Sequence, residues 1–420
     1  MRRPALADDP ELLKRVEEII ELVRTEGDSA LSSLTMEFDQ VKLKSFEVTP
    51  EELSNIDKAL TKTVQNAIVA AAKNIERFHQ DQIPKPILIN TAPGVRCERV
   101  IRPIQSIGLY VPGGGNPLVS TALMLAIPAA LAECPTAVLC SPPGKNGKID
   151  AGVLFVAKEY GIRKIFKLGG VQAIAAMAYG TQTVPKVNKI FGPGNKWVAA
   201  AKAHVSRDPS GAAQDLPAGP SELMVIADGK ANPAFVAADL LSQAEHGPDS
   251  QVILVTNSEG LADSVTSQII HQKVKLARQA IIEEALSHSY ILTVANLETA
   301  IDIANRYAPE HLILQIRDSR KLLDQITTAG SVFLGPWAPE TVGDYCSGTN
   351  HVLPTYGLAR SYSGLGVNDF VRTMTVQELN RDGIAAVGPL AKTLASLEGL
   401  EAHGAAVALR LKALNEMEAQ

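Results

Sequence analysis

From about Val100 to Gly366 the sequence alternates short β-rich runs with helical stretches, and this constrains the fold more than any other feature. Nine runs read as strands: "SIGLYV" from Ser106, "TAVLCS" from Thr136, "KIFKLGG" from Lys164, "VNKIFG" from Val187, "ELMVIAD" from Glu222, "QVILVT" from Gln251, "SYILTVA" from Ser289, "HLILQI" from His311 and "SVFLG" from Ser331. Strands regularly separated by helices build parallel or mixed α/β sheets. The loops of the two halves are furnished differently, which predicts an α/β protein of two doubly wound, Rossmann-like domains and not one barrel. The expected boundaries are a helical segment over 1–105 that packs on the larger α/β domain, a first α/β domain over 106–221, a second over 222–366, and a C-terminal helical segment over 367–420. No internal repeat is visible.

The start of the chain reads as helix. Leu12, Leu13, Val16, Ile19, Ile20 and Val23 recur at helical spacing and Gly27 ends the run. "TPEE" at Thr49 to Glu52 has the form of a helix start, with Thr as N-cap, Pro at the first position and Glu at the third.

A net charge of −5, without a Lys/Arg cluster among aromatics, gives no basic footprint and disfavours nucleic-acid binding. No apolar run reaches membrane-span length. The opening "MRRPALADDPELL" has no apolar core and turns acidic at once, so it reads as neither a signal nor a transit peptide. Four cysteines without a CxxC pair (Cys97, Cys134, Cys140, Cys346) fit reduced thiols in a cytoplasmic protein.

In the first α/β half the unusual residues follow strands: "PGGGNP" after Val111, "GGVQA" at Gly169, "GPGN" at Gly192 and "AGPS" before Glu222. Glycines there let backbone N–H groups approach a ligand, and helix N-termini beyond them favour anions. None matches GxGxxG, and a single such turn needs no ligand. Four in one sheet favour a nucleotide or phosphate site. In the second half the polar residues precede strands: "QAEHGPDS" before "QVILVT" and "YAPEH" before "LILQI". Parallel strands put those loops at the amino end of the sheet. The active site is then expected in a cleft where the carboxyl edge of the first sheet faces the amino edge of the second.

"DLLSQAEHGP", Asp239 to Pro248, reads as a helix end stopped by Gly247-Pro248. Gln243 and His246 stand three apart on one face. They could be a cap, a hydrogen-bonded pair or half of a metal site. Of the eight histidines, His79, His204, His271 and His288 read as surface or satisfied core residues. His246, His311, His351 and His403 stand beside turn-forming or acidic residues. With Asp344 and Glu398 they are candidate N and O donors for a divalent metal such as zinc or manganese. Each alone reads more readily as structural, and no HExxH or similar compact signature marks a site. In "YAPEH", Pro309 breaks a helix and leaves Glu310 and His311 in a loop where both side chains can converge. These are two bases of different reference pKa, suited to two proton transfers; the bland reading is a polar helix-to-strand turn. Cys140 or Cys346 offers a rival thiolate nucleophile for aldehyde oxidation, while Cys97 and Cys134 read as small apolar fillers.

The longer blocks "GLYVPGGGNP", "GGVQAIAAMAYGT", "VPKVNKIFGPGN", "LPAGPSELMVIAD", "DLLSQAEHGPDSQVIL", "APEHL", "AGSVFLGPWAPE", "GDYCSGTNHVLPT" and "MTVQEL" together resemble the histidinol dehydrogenase family, from about residue 10 to the end. "PGGGNP", the spacing after "CSPPG" and Cys346 are local departures that leave the motif residues in place. The resemblance implies an NAD-dependent, zinc-containing homodimer that oxidises L-histidinol through L-histidinal to L-histidine. By resemblance, Gln243, His246, Asp344 and His403 hold one zinc per site, with His403 supplied by the partner subunit. Ser221, Gln243, His246, His311, Asp344, Glu398 and His403 contact the substrate, with His351 beside them. Tyr110, Gln172 and Asn195 contact NAD, and Glu310 and His311 are catalytic. The alternatives carried beside it are a thiol-dependent aldehyde dehydrogenase-like enzyme and an inactive zinc-stabilised binding protein.

Overall fold

The computed structural model describes residues 1, 3–4, 10–113, 117–217 and 219–418. Its strands, in chain order, are β1 (Ile87–Ala92), β2 (Val95–Pro103), β3 (Ser106–Tyr110), β4 (Thr136–Ser141), β5 (Lys164–Lys167), β6 (Lys189–Phe191), β7 (Ala213–Gln214), β8 (Glu222–Ala227), β9 (Gln251–Thr256), β10 (Tyr290–Thr293), β11 (His311–Gln315), β12 (Ser331–Leu334) and β13 (Val371–Leu379). The nine runs read as strands are β3 to β6 and β8 to β12.

Two five-stranded sheets result, ordered β5-β4-β3-β6-β7 and β10-β9-β8-β11-β12. Every pairing in both is parallel. In each, the chain begins in the middle, winds to one edge, and then crosses to the other side. The order reverses between β3 and β6 in the first sheet and between β8 and β11 in the second. Such switch points open a crevice where a ligand can enter.

The helix Gly170–Tyr179 shows why the first sheet needs the start of the chain. Its residues Val171 to Ala178 are all buried, so it is apolar on every face. One face packs on the sheet. The other meets Leu12, Val16, Ile19, Ile20 and Val23 of the helix Pro10–Glu26 in one continuous core. The helix start at Thr49 closes as a full capping box: Thr49 Oγ1 accepts from Glu52 N–H at 3.1 Å and Glu52 Oε2 from Thr49 N–H at 2.9 Å.

By internal contacts the chain forms two compact units, residues 1–82 with 104–370, and residues 83–103 with 371–420. Both parallel sheets belong to the first. The second carries an antiparallel sheet of order β1-β2-β13 and the helices Arg381–Leu397 and Glu401–Glu418. The strands β1, β2 and β13 therefore occupy stretches read as helical. The side chains of β1 and β13 are mostly exposed and those of β2 mostly half-buried, so no one-sided apolar alternation marks them. They are held instead by a ladder between segments far apart in the chain.

Candidate active site

The first sheet presents its residues at its carboxyl edge. Tyr110 ends β3, and its hydroxyl accepts from the N–H of Gly170 at 3.1 Å. Gln172, in the first turn of the helix Gly170–Tyr179, is buried, and its Oε1 has no hydrogen-bond partner among the described residues. Asn195 follows β6 and caps the helix Lys196–Arg207, its Oδ1 accepting from Trp197 and Val198 N–H at 3.1 and 3.2 Å. Tyr110 and Asn195 thus flank the switch point between β3 and β6. Glycine is obligatory at 192: φ is +119° and a Cβ would lie 2.1 Å from the Tyr110 carbonyl oxygen. Behind that turn, Lys202 donates to the Gly192 carbonyl at 2.8 Å and pairs with Asp215, which also accepts from Gly192 N–H at 2.8 Å. The turn is built rigid. Gly114, Gly115 and Asn116 of "PGGGNP" and Ala218 of "AGPS" lie outside the described residues.

The second sheet presents its residues at its amino edge. The helix Leu297–Tyr307 is stopped by Ala308 in the left-handed region (φ +53°). Pro309 and Glu310 follow, and His311 opens β11. His311 is therefore the first strand residue and not, as expected, part of the loop. Convergence still holds, because Glu310 sits in the bend: its Oε2 lies 3.6 Å from His311 Nδ1. Both are buried. The main chain of Glu222, the first residue of β8, holds them together. Its N–H donates to Glu310 Oε2 at 2.8 Å, and its carbonyl lies 3.2 Å from His311 Nδ1. A carbonyl can only accept, so Nδ1 carries a proton, and Nε2 is the basic nitrogen when the ring is neutral. That Nε2 is buried without a hydrogen-bond partner among the described residues.

Two further carboxylates complete the cluster. Asp344 Oδ1 is 3.6 Å from His311 Nε2 and Glu340 Oε1 is 3.8 Å from Nδ1. Glu340, on the short helix Glu340–Tyr345, is almost wholly buried and faces Gln243, at the end of the helix Pro233–Ala244. The pairing orients the Gln243 amide with its nitrogen toward the carboxylate, donating to Oε2 at 3.0 Å. That leaves the amide oxygen, its only cation-binding atom, turned away from Glu340. His246 follows that helix, its N–H donating to the Gln243 carbonyl at 3.2 Å. His351 is engaged at both ring nitrogens, by the Asp344 carbonyl at 2.7 Å and Thr121 Oγ1 at 3.3 Å. It braces Asp344 against the helix that follows β3.

Electrostatics follow from this packing. Burial pushes the Glu310 and Glu340 carboxyls up to about 8. Burial works against the charged His311 ring, but Glu310, Glu340 and Asp344 outweigh it and raise the imidazole to about 10. Burial also opposes the Asp344 charge, yet His311, His351 and His246 hold its carboxyl below the usual range. Desolvation lowers His246 and His351, which favours the neutral rings that bind metals.

Among the described residues, His311, Glu340 and Asp344 offer ligand atoms within 4.8 Å of one another. Only Asp344 of that trio is in the ligand set that the resemblance implies. Its carboxylate, the His246 ring and the freed Gln243 amide oxygen are O and N donors that suit a divalent ion such as zinc. Ser221 precedes β8 at the same edge, its carbonyl accepting from Gln251 N–H at 3.1 Å. Glu398 and His403 are exposed residues of the second unit, at the end of the helix Arg381–Leu397 and on the helix Glu401–Glu418. Glu340 and Glu222 are absent from the candidates drawn from the sequence. An acidic residue after Pro339 reads as an ordinary helix start, and Glu222 as the polar end of a strand.

The thiols stand apart. Cys140 is fully buried in the core with Tyr110 and Phe166, and burial pushes its thiol far up. Cys346 ends the helix Glu340–Tyr345, and its carbonyl accepts from Asn74 Nδ2 at 2.9 Å.

Two doubly wound sheets, one with Gly-rich carboxyl-edge turns and one with a buried acid–imidazole cluster, define an α/β oxidoreductase. The chain belongs to the histidinol dehydrogenase family, whose model matches residues 1–411. It is 52% identical over 415 residues to histidinol dehydrogenase of Vibrio vulnificus (strain CMCP6), covering 99% of this chain and 95% of that one. Against histidinol dehydrogenase of Salmonella typhimurium the identity is 50% over 416 residues, at 99% and 95% coverage. The crystal structure of histidinol dehydrogenase from Elizabethkingia anophelis superposes with a TM-score of 0.94 at 46% identity, over 99% of this chain and 95% of that one. Proline utilization A shares the fold alone, with a TM-score of 0.51 at 12% identity over 87% of this chain and 42% of that one. No helix of the described residues is long and apolar enough to cross a membrane.

Proposed function

We propose that this chain oxidises L-histidinol to L-histidine through L-histidinal, reducing two NAD+, as a cytoplasmic homodimer with shared active sites. The observation that carries the reading is the buried Glu310–His311 pair, fixed by one backbone unit, in a chain of this family. His311 Nε2 takes the alcohol proton as hydride leaves carbon for the first NAD+. Glu310 then removes a proton from the water that adds to the aldehyde, while His311 gives its proton to the former carbonyl oxygen, completing the hydrate and becoming neutral again. His311 takes the proton of one hydrate hydroxyl as the hydride goes to the second NAD+, and the carboxylic acid so formed loses its remaining proton to solvent. A carboxyl poised near neutral pH suits the hydration step.

Tyr110, Gln172 and Asn195 bind NAD in this reading, supported by Tyr110 and Asn195 flanking the switch point of the first sheet and by Gln172 lying on the helix whose Gly170 N–H meets the Tyr110 hydroxyl. Gln243 through its oxygen, His246, Asp344 and the partner's His403 would hold one zinc per site. Ser221, Glu398 and the same ligands surround the substrate. When bound, the ion would fix the substrate's nitrogens and offset the Asp344 charge that raises His311. The chain's own part is to keep the aldehyde enclosed between the two oxidations. The test is NADH formation from L-histidinol: two NADH per histidinol are expected, and none, with zinc and NAD saturating, refutes the reading.

A further inference from the structure

Glu222 has a second life that the proton transfers do not use. Its side chain, 3% exposed, forms a two-point ion pair with Arg3: Nε to Oε1 at 2.5 Å and Nη2 to Oε2 at 3.1 Å. The same guanidinium donates to the Tyr307 carbonyl at 2.6 Å and lies over the Tyr307 ring, 3.8 Å from its centre. It also reaches the Ala308 carbonyl at 3.4 Å. These are the last carbonyls of the helix whose next residues are Pro309, Glu310 and His311. Arg3 therefore grips both pieces of backbone that meet at the catalytic pair: the start of β8, which orients it, and the helix end that carries it.

We propose that Arg3 is a positioning residue for Glu310 and His311, acting through Glu222 and the 307–308 carbonyls. The inference rests on the reading of that pair as the proton-handling groups. Arg3 touches neither of them, nor the metal-binding candidates. Its effect is geometric. Without the guanidinium, Glu222 is a buried carboxylate left with backbone N–H groups alone, those of Tyr356 at 3.2 Å and of Glu310, and with no positive partner among the described residues. A buried charge that loses its partner moves toward water or takes up a proton. Either displacement pulls on the residue whose N–H and carbonyl set Glu310 and His311. Only arginine matches the site, since its planar fork serves the carboxylate and both carbonyls at once, whereas lysine is a point donor.

The test uses the full-length, zinc-loaded protein, with Arg3→Met, Arg3→Lys, Glu222→Gln and the double variant Arg3→Met/Glu222→Gln. Arg3→Met should lower kcat by about 10–100-fold, the scale of a small misplacement of reacting groups. KM for histidinol and NAD should stay within about twofold and zinc content should be unchanged. The double variant should regain part of the lost kcat, because a neutral amide needs no counter-ion; that non-additivity is the signature of acting through Glu222. Hydrogen exchange over 219–224 supplies a readout without substrate, and it should quicken in Arg3→Met. Should Arg3→Met not fold, Arg3→Lys must still lower kcat with KM kept. A wild-type chain that makes no NADH from histidinol overturns the functional reading and this inference with it. An active wild type whose variants keep kcat and exchange within about twofold overturns the inference alone. So does a loss of kcat that merely tracks lost zinc.

Discussion

Gln243 gives its amide nitrogen to Glu340, a carboxylate buried beneath the cluster, and so presents its oxygen elsewhere. An amide ligates a cation through oxygen only, so Glu340 decides whether Gln243 can serve as a ligand at all. Glu340→Gln replaces an acceptor pair with a group that can face the amide either way round. Zinc affinity should fall about 10–100-fold, the usual cost of losing a partner that orients a ligand. Competition titration with a chromophoric chelator measures it. An unchanged affinity would remove Gln243 from the ligand set or Glu340 from its support.

The metal-free protein should lose stability as pH rises from about 7 to 8. Burial raises Glu310 and Glu340 to about 8, and the three carboxylates raise His311 to about 10. All three bind protons more tightly folded than unfolded, so their contribution is complete below the unfolded pKa and fades through the folded one. His246 and His351 are lowered and act in the opposite sense, but only below their ordinary value near 6.5. Asp39 and Asp239, raised by burial to about 6, have finished titrating before the window opens. Zinc binding displaces protons, so the rise in Tm on adding zinc should grow across the same window. Calorimetry at fixed ionic strength, with and without zinc, checks both slopes. A metal-free Tm that climbs from pH 7 to 8 contradicts the raised values.

Much of this site was legible before the fold, and for a physical reason. The β-rich runs are short, apolar and punctuated by glycine, so β3 to β6 and β8 to β12 stand out locally. Glu310 and His311 are adjacent in the chain, and Pro309 announces a break. Glu340 and Glu222 were hidden because their roles depend on tertiary burial, which an acid at a helix or strand start does not advertise. The antiparallel ladder of β1, β2 and β13 was missed for a similar reason: β1 and β13 are mostly exposed within this chain and β2 is mostly half-buried, so none shows an apolar face. The two parallel sheets share one strand order although no sequence repeat betrays it. Winding order is set by handedness and crossover, which many sequences satisfy.

The thiols should be dispensable for chemistry. Cys140 is fully buried with its thiol pushed far up, and no cysteine joins the cluster around His311 among the described residues. Cys140→Ala and Cys346→Ala should each form two NADH per histidinol. Cys140→Ala should cost stability only, on the order of 1 kcal/mol for a small buried group. A variant that folds, binds zinc and stops at histidinal revives the thiol mechanism.

Glu310 and His311 should separate in single-turnover experiments. Only the aldehyde needs water made nucleophilic, so Glu310→Gln should slow the second oxidation by about 10²–10⁴-fold. The first should change much less, and NADH formed early in the turnover should fall from two per histidinol toward one. His311→Asn should slow both, since each hydride transfer releases a proton from oxygen. Rapid-quench product analysis distinguishes them. Equal slowing of the two steps in Glu310→Gln would show that the carboxylate does not divide the labour in this way.

The proposed sharing of the site between subunits has its own signature. His403 is exposed on the helix Glu401–Glu418, in the unit that does not contain His246, Glu310 or Asp344. If it serves the other subunit, His403→Ala and His246→Ala each inactivate every site of a homodimer. A mixed dimer differs: one of its two sites takes both defects and the other takes neither. Combining the inactive variants under conditions of subunit exchange should therefore restore activity, to at most half of the wild-type value per mixed dimer. Mass spectrometry of differently tagged chains confirms that exchange has occurred. If both ligands came from one chain, each site of the mixed dimer would keep one defect. Exchange without any recovery would then place His403 and His246 in the same chain's site and sever the link between dimerisation and catalysis.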